Sequence, residues 1–272
     1  MTLSLLLHAE SKVGKSTLST TAPPPICVFD AEGGWRFVRE AGFKTGVPLR
    51  RREWDPLQGP PPRFDGTWDF CHVMVRDWRT LVTGYMWLTH TQEHDFKSLI
   101  LDSVTESQRR LKISLKPDGR MATFLDWGDL LFHMDKLIRD MRDLVLIPKP
   151  NPIEFVMFIA ETEMKDGKWR PAMQGQIGRA LPYWVDICGY LFTEPRTDQA
   201  GAPTGEYVRK LLIGQGVAPN IIAGERVQGA LPAIVTDPHI GTMLNDIFGT
   251  QEQSQVRPQI QASSSTEVGS SV

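Results

Sequence analysis

Ala9-Glu10-Ser11-Lys12-Val13-Gly14-Lys15-Ser16-Thr17 sets a glycine, an amine and a hydroxyl side by side, after the short apolar run Leu3 to Leu7. This is the pattern of a phosphate-binding loop between a strand and a helix, with Ala9 where the first glycine normally stands. Backbone N–H groups of residues 12–16 would wrap a β-phosphate at a helix N-terminus, which favours anions. Lys15 would reach the β- and γ-phosphates, and the Ser16 hydroxyl would ligate Mg²⁺. Contacts to a nucleotide are therefore expected from Ala9, Glu10, Ser11, Lys12, Val13, Gly14, Lys15, Ser16 and Thr17. The Cβ of Ala9 resists positive φ, so the loop is expected to enter its turn differently, without losing a phosphate ligand.

Phosphoryl transfer also needs carboxylates. Asp102 closes the apolar run Ser98-Leu99-Ile100-Leu101, and a carboxylate at a strand end is suited to hold Mg²⁺ together with Ser16. It could equally cap the helix that follows. Glu32 follows the apolar run Ile26-Cys27-Val28-Phe29 and Asp30-Ala31, at the kind of strand edge where open α/β sheets bind ligands. It is the expected group to orient or deprotonate an attacking water. ATP and Mg²⁺ are the cofactors these residues imply.

The elements that would carry these groups alternate along the chain. A helix from Ser16 is stopped by Pro23-Pro24-Pro25, and Trp35 to Ala41 has a helical pattern. His72 to Val75 is strand-like, and Asp77 can cap a helix running to about Thr89. Further helices are expected over 104–115 and 126–143, and strands over 155–160, 185–192 and 208–213. Lys165-Asp166-Gly167-Lys168 is a turn signal between extended pieces, so a hairpin is expected there. Apolar strands alternating with helices predict an α/β fold, a mostly parallel sheet with helices on both faces and a β hairpin region toward the C-terminus.

Composition sets the outer limits. The chain has 272 residues, 41% of them hydrophobic, and a formal net charge of −2. That suits one generous domain and gives no global basic signature, so a nucleic-acid surface would have to be local. Residues 1–249 are expected to form that domain, with 44–70, rich in Arg, Pro, Gly and Trp, as an irregular insertion. From 250 to 272 the chain is Ser- and Gln-rich with little that is apolar, and disorder is expected there. Three widely spaced cysteines, Cys27, Cys71 and Cys188, read as buried thiols in a reducing compartment. No apolar stretch approaches a membrane span and no signal-peptide cleavage pattern is evident, so a cytoplasmic location with no membrane partner is expected. His90-Thr91-Gln92-Glu93-His94 matches an inverted zinc-protease pattern but falls where a helix should end, and it reads as a polar connector.

Several of these segments carry a resemblance. Val28-Phe29-Asp30-Ala31-Glu32 resembles the Phe-Ile-Asp-Ala-Glu segment of RecA, whose glutamate activates water, and Leu99-Ile100-Leu101-Asp102-Ser103-Val104 resembles the same family's Val-Val-Asp-Ser-Val run. Gln174 to Tyr190 resembles the Gly-Arg-x-Leu-Pro…Val-Asp segment of phage-encoded RecA-like ATPases associated with single-strand annealing. The similarity covers about residues 3–225. It implies a RecA-type P-loop core, assembly into a ring or filament with ATP between subunits, and action on single-stranded DNA in recombination or annealing, in the host cytoplasm. It leaves room for a single-strand binding protein as a partner.

Phe158-Ile159-Ala160-Glu161 falls where such proteins have a strand ending in a γ-phosphate sensor, normally Gln or His; a carboxylate at Glu161 would need a proton or a metal. The two DNA loops of a RecA-type core map onto Arg109, Arg110, Lys112, Lys116 and Arg120, then Lys165, Lys168, Trp169 and Arg170. Basic groups beside a stacking aromatic suit sequence-tolerant binding of single strands. Arg179 and Arg226 are candidates for an arginine that completes a neighbouring subunit's site. Two other functions fit the loop: a small-molecule kinase, and an assembly switch that binds ATP without hydrolysing it.

Overall fold

The structure is a computed structural model and describes residues 2–38, 49–91, 94–116, 123–146, 152–198 and 201–254. At its centre are strands β1 (Leu3–Ala9), β2 (Ile26–Asp30), β5 (Ser98–Asp102) and β6 (Phe155–Lys165). Every residue of β1, β2 and β5 is buried, as expected for strands covered on both faces. To these the chain adds β3 (Arg51–Glu53), β4 (Phe70–Met74), β7 (Lys168–Pro171), β8 (Ile187–Thr197), β9 (Pro203–Leu212), β10 (Gly224–Glu225) and β11 (Ile234–Thr236). The sheet order is β11-β9-β8-β1-β6-β5-β2-β4-β3. From β8 to β3 all neighbours are parallel, whereas β9, β10 and β11 join antiparallel, and β7 folds back on β6.

Because side chains alternate across a strand, the apolar residues divide into two cores. Leu6, Cys27, Phe29, Leu99, Leu101 and Phe158 face one way. There they meet α2 (Trp78–Met86), α3 (Val104–Ser114), α4 (Phe124–Asp143) and α5 (Ile177–Trp184). Leu5, Leu7, Val28, Ile100, Met157 and Ile159 face the other way, onto Leu18 of α1 (Lys15–Ser19) and Ile240, Met243 and Ile247 of α6 (Ile240–Ser254). This is a mostly parallel sheet flanked by helices, as the alternation of elements predicts.

Local capping fixes where the helices start. The side chains of Asp77, Ser103 and Thr123 accept from backbone N–H groups at the starts of α2, α3 and α4, and Thr123 forms a reciprocal box with Asp126.

Several boundaries differ from the sequence reading. The stretch 44–70 is not wholly irregular, because Arg51–Glu53 pairs in parallel with β4 as the edge strand. The helical pattern after Gly33 is a single 3₁₀ turn, Gly34–Phe37, and residues 39–41 lie outside the described residues. Helix α2 passes into a π turn, Trp87–Thr91. Helix α6 has no counterpart in the sequence reading and reaches Ser254, inside the stretch expected to lack structure; 255–272 lie outside the described residues. No helix among the described residues is long and apolar enough to cross a membrane.

Candidate nucleotide site

The parallel strands deliver their C-terminal ends to one edge of the sheet, and the candidate residues meet there. β1 ends at Ala9, level with Glu161 of β6, while Asp30 of β2 lies level with Asp102 of β5. The loop then turns into α1 through Lys12 (φ 64°) and Gly14 (φ 101°). Ala9 itself stays in the strand and is fully buried. The positive φ values fall at residues 12 and 14, so alanine is tolerated at position 9, and the altered entry expected for its Cβ does not arise.

Lys15 curls over the loop, its Nζ donating to the carbonyls of Ala9 (3.2 Å) and Glu10 (2.8 Å). Burial lowers its pKa, while Glu32, Asp102 and Glu161 oppose that shift, so three carboxylates surround the amine. The Ser16 hydroxyl donates to Oδ2 of Asp102 at 2.7 Å, and the Trp35 indole N–H donates to the same oxygen at 2.9 Å. Burial raises the Asp102 carboxyl to about 7; the Ser16 and Trp35 bonds pull it down, and Glu32 and Asp30 push it further up. Such a carboxyl beside a hydroxyl fits a hard divalent cation, whose charge would favour the ionised form. Ser16 and Asp102 would hold Mg²⁺.

Glu32 is exposed at the same edge and accepts a short hydrogen bond from the Ser103 hydroxyl. The Glu32 backbone N–H points at the Asp102 carbonyl, so the two carboxylates are held by one backbone junction. Asp30, fully buried, accepts from the N–H groups of Gly33 (2.6 Å) and Trp35 (3.1 Å) and lies 3.0 Å from Nε2 of His72. It thereby fixes the turn that carries Glu32 and Trp35. Trp35 and His72 had no signal in the sequence. Ser103, directly after the strand-end Asp102, could have been read as a partner for a second carboxylate.

The expected γ-phosphate sensor differs from the sequence reading. Glu161 needs neither a proton nor a metal, because Arg109 forms a forked pair with it at 2.9 and 2.8 Å. Arg109 also reaches Glu106 at 3.3 Å. Arg110 donates to the carbonyls of Ala31 (2.7 Å) and Arg76 (2.5 Å). These two arginines were expected on a DNA loop, but the terminal guanidinium nitrogens of both are engaged within the protein. Lys112 lies 5.0 Å over the Trp127 ring, and Arg120 is outside the described residues.

The second expected DNA segment is the β6–β7 hairpin. Arg170 is buried and paired with Glu163 at 3.1 Å, so it is a structural ion pair and not an exposed cation. Lys165 and Lys168 are exposed, and Trp169 is half-buried. The structure brings this hairpin together with both arginines expected to act between subunits. Lys165, Lys168, Arg170, Arg179 and Arg226 line one groove of about 780 Å³ beside α5. Arg179 is exposed and lies 3.7 Å from Asp166, while Arg226 donates to the Tyr183 carbonyl. Of the histidines in the inverted zinc-protease pattern, His90 is exposed and His94 buried.

The sequence profile of the AAA_24 family, described as an AAA domain, matches residues 1–227. The chain belongs to this AAA family. As an AAA domain it is a P-loop ATPase, which agrees with the loop, hydroxyl and carboxylates gathered at the sheet edge. A solved prototypical ATPase from the type III secretion system of pathogenic bacteria is similar, at 15% identity and a TM-score of 0.45, over 89% of this chain and 59% of that one. The AAA chain thus spans about 59% of that ATPase's length. No curated protein matches it.

Proposed function

We propose that this AAA domain is a RecA-like, Mg²⁺-dependent ATPase that acts on single-stranded DNA in recombination or annealing, as a ring or filament of copies. The observation that carries the catalytic half is the meeting of Lys15, Ser16, Asp102 and Glu32 at one sheet edge. Lys15 and the loop amides bind the phosphates. Glu32, held by Ser103 and open to solvent, positions the attacking water and accepts its proton. Ser16 and Asp102 would hold a Mg²⁺ ion, which would supply positive charge for the phosphate oxygens. Arg109 leaves Glu161 neutralised, so the strand next to the loop does not add a free negative charge against the nucleotide.

The DNA half rests on the groove. Lys165, Lys168 and Arg179 are exposed around it, while Trp169, between Lys168 and Arg170 on the hairpin strand, takes the opposite face. A groove of exposed cations binds a strand through its phosphates with little regard to sequence. Arg179 and Arg226, in that groove, are assigned to DNA or to a neighbouring copy's nucleotide.

The deciding experiment is phosphate release from ATP with and without single-stranded DNA, over a salt series. Stimulation by DNA that fades as salt rises supports this function, because phosphate contacts release counterions. DNA-independent turnover with transfer to a small acceptor identifies a kinase. ATP binding with no phosphate release in either condition identifies an assembly switch.

A further inference from the structure

β9 brings one more cation to the loop from the far end of the sequence. Arg209 and Leu211 of this strand and Ile213 just past its end share one face, and Leu211 and Ile213 are buried in the core that holds Leu5, Leu7 and Leu18. β9 runs antiparallel to β8, with Leu191 opposite Leu211 and Thr193 opposite Arg209. Arg209 therefore lies two residues beyond that buried face, toward the sheet edge where β1 gives way to the loop. Its guanidinium arrives at Gly14. A Cβ built on Gly14 would stand 3.3 Å from Nη1 and 3.4 Å from Cδ of Arg209, and 3.7 Å from Cβ of Thr17.

What separates Arg209 from Arg109, Arg110, Arg170 and Arg179 is the lack of an anion. Arg109 is held by Glu161, Arg110 by Glu106, Arg170 by Glu163 and Arg179 by Asp166. Lys210, next to Arg209 but on the opposite face, pairs with Glu194. Among the described residues the Arg209 side chain has neither an ion pair nor a hydrogen bond. It is half-buried and adds a positive charge to a loop that already carries Lys12 and Lys15. Glu32, Asp102 and Glu161 act on Lys15, whereas Arg209 has no counter-charge of its own, and an anion bound at the loop would supply one.

The geometry points to Arg209 as a nucleotide-contacting residue supplied within the same chain, its guanidinium engaging the α- and β-phosphates across Gly14. This rests on the nucleotide site proposed above. The assignment to those phosphates follows from its neighbours: the loop backbone at Gly14 belongs to the part that cradles them, whereas Lys15 extends to the γ-phosphate. A guanidinium fork suits two phosphate oxygens better than an ammonium does. The competing role is purely steric, with the aliphatic stem of Arg209 covering Gly14 and its charge left in water.

The test is equilibrium binding of ADP and ATP to the full chain, as wild type, Arg209→Ala and Arg209→Lys, with thermal unfolding of each nucleotide-free protein as a control. Arg209→Ala is expected to weaken ADP and ATP by the same factor, roughly tenfold or more for a lost charge-assisted contact. Arg209→Lys should recover part of it, and the nucleotide-free unfolding temperatures should agree. Unchanged affinity in Arg209→Ala, with a wild type that binds both nucleotides, would overturn this inference and leave the nucleotide site standing. A loss confined to ATP would overturn the phosphate assignment. A folded wild type that binds neither nucleotide would overturn the inference together with the site it rests on.

Discussion

Ser16 donates a 2.7 Å hydrogen bond to Asp102, although 86 residues separate them in the chain. The bond joins the first turn of α1 to the end of β5, and the Trp35 indole shares its acceptor oxygen. Without a cation, Asp102 is a buried acid raised to about 7. A carboxyl raised on folding contributes its stability below its unfolded pKa and loses it as pH rises through about 7. Asp102→Asn is therefore expected to unfold no more easily than wild type at pH 8 in a chelator, while losing all thermal stabilisation by ATP with Mg²⁺. Thermal melts with and without nucleotide check both halves, and a strongly destabilised nucleotide-free variant would make Asp102 structural.

Glu32 and Lys15 should separate binding from turnover. Glu32→Gln keeps the shape that accepts from Ser103 but cannot take a proton from water, so ATP affinity should hold while turnover falls about a hundredfold or more. Lys15→Ala should lose most of the binding itself. Nucleotide titration beside a phosphate-release assay reads both, and full turnover by Glu32→Gln would move water activation to another group.

Gly84 illustrates how packing can reverse a helix rule. In a helix interior, Gly→Ala ordinarily stabilises by about 1 kcal/mol. At Gly84 the new methyl would lie 2.4 Å from Cε1 of Phe29, a fully buried ring, and 3.1 Å from Pro56. Overpacking of this kind costs roughly 1–3 kcal/mol, so Gly84→Ala is expected to lower the denaturant midpoint. A raised midpoint would mean that Phe29 moves aside freely.

His8 predicts an acid limb. Its Nε2 lies 2.7 Å from the Ile222 carbonyl and its Nδ1 3.1 Å from the Thr162 hydroxyl. Burial lowers its pKa to about 4; the Ile222 bond acts against that shift, and Lys15 adds slightly to it. The folded state thus holds neutral histidine, whose contribution is complete above about 6.5 and is lost as pH falls toward 4, by roughly 3 kcal/mol. Urea melts from pH 7 to pH 4 should show this loss in wild type and a flatter profile in His8→Gln. Parallel profiles would assign the acid limb to other groups.

The sequence by itself determined the parts of this protein that depend on neighbours along the chain. Gly14-Lys15-Ser16 needs only its own backbone to shape a phosphate loop, and the uninterrupted apolar runs 26–29 and 99–101 can be satisfied only inside a sheet covered on both faces. A carboxylate closing such a run, or following it within a few residues, has to lie at the sheet edge, which made Asp102 and Glu32 legible. Tertiary structure alone decided who meets whom at that edge. The pairing of Arg109 with Glu161, of Trp35 with Asp102 and of Ser103 with Glu32, and the approach of Arg209 to Gly14, depend on strand order and on the face each residue takes. Spacing along the chain encodes neither. For the same reason Arg109 and Arg170 read as free cations in the sequence: a side chain's charge is local, but its partner arrives from another strand.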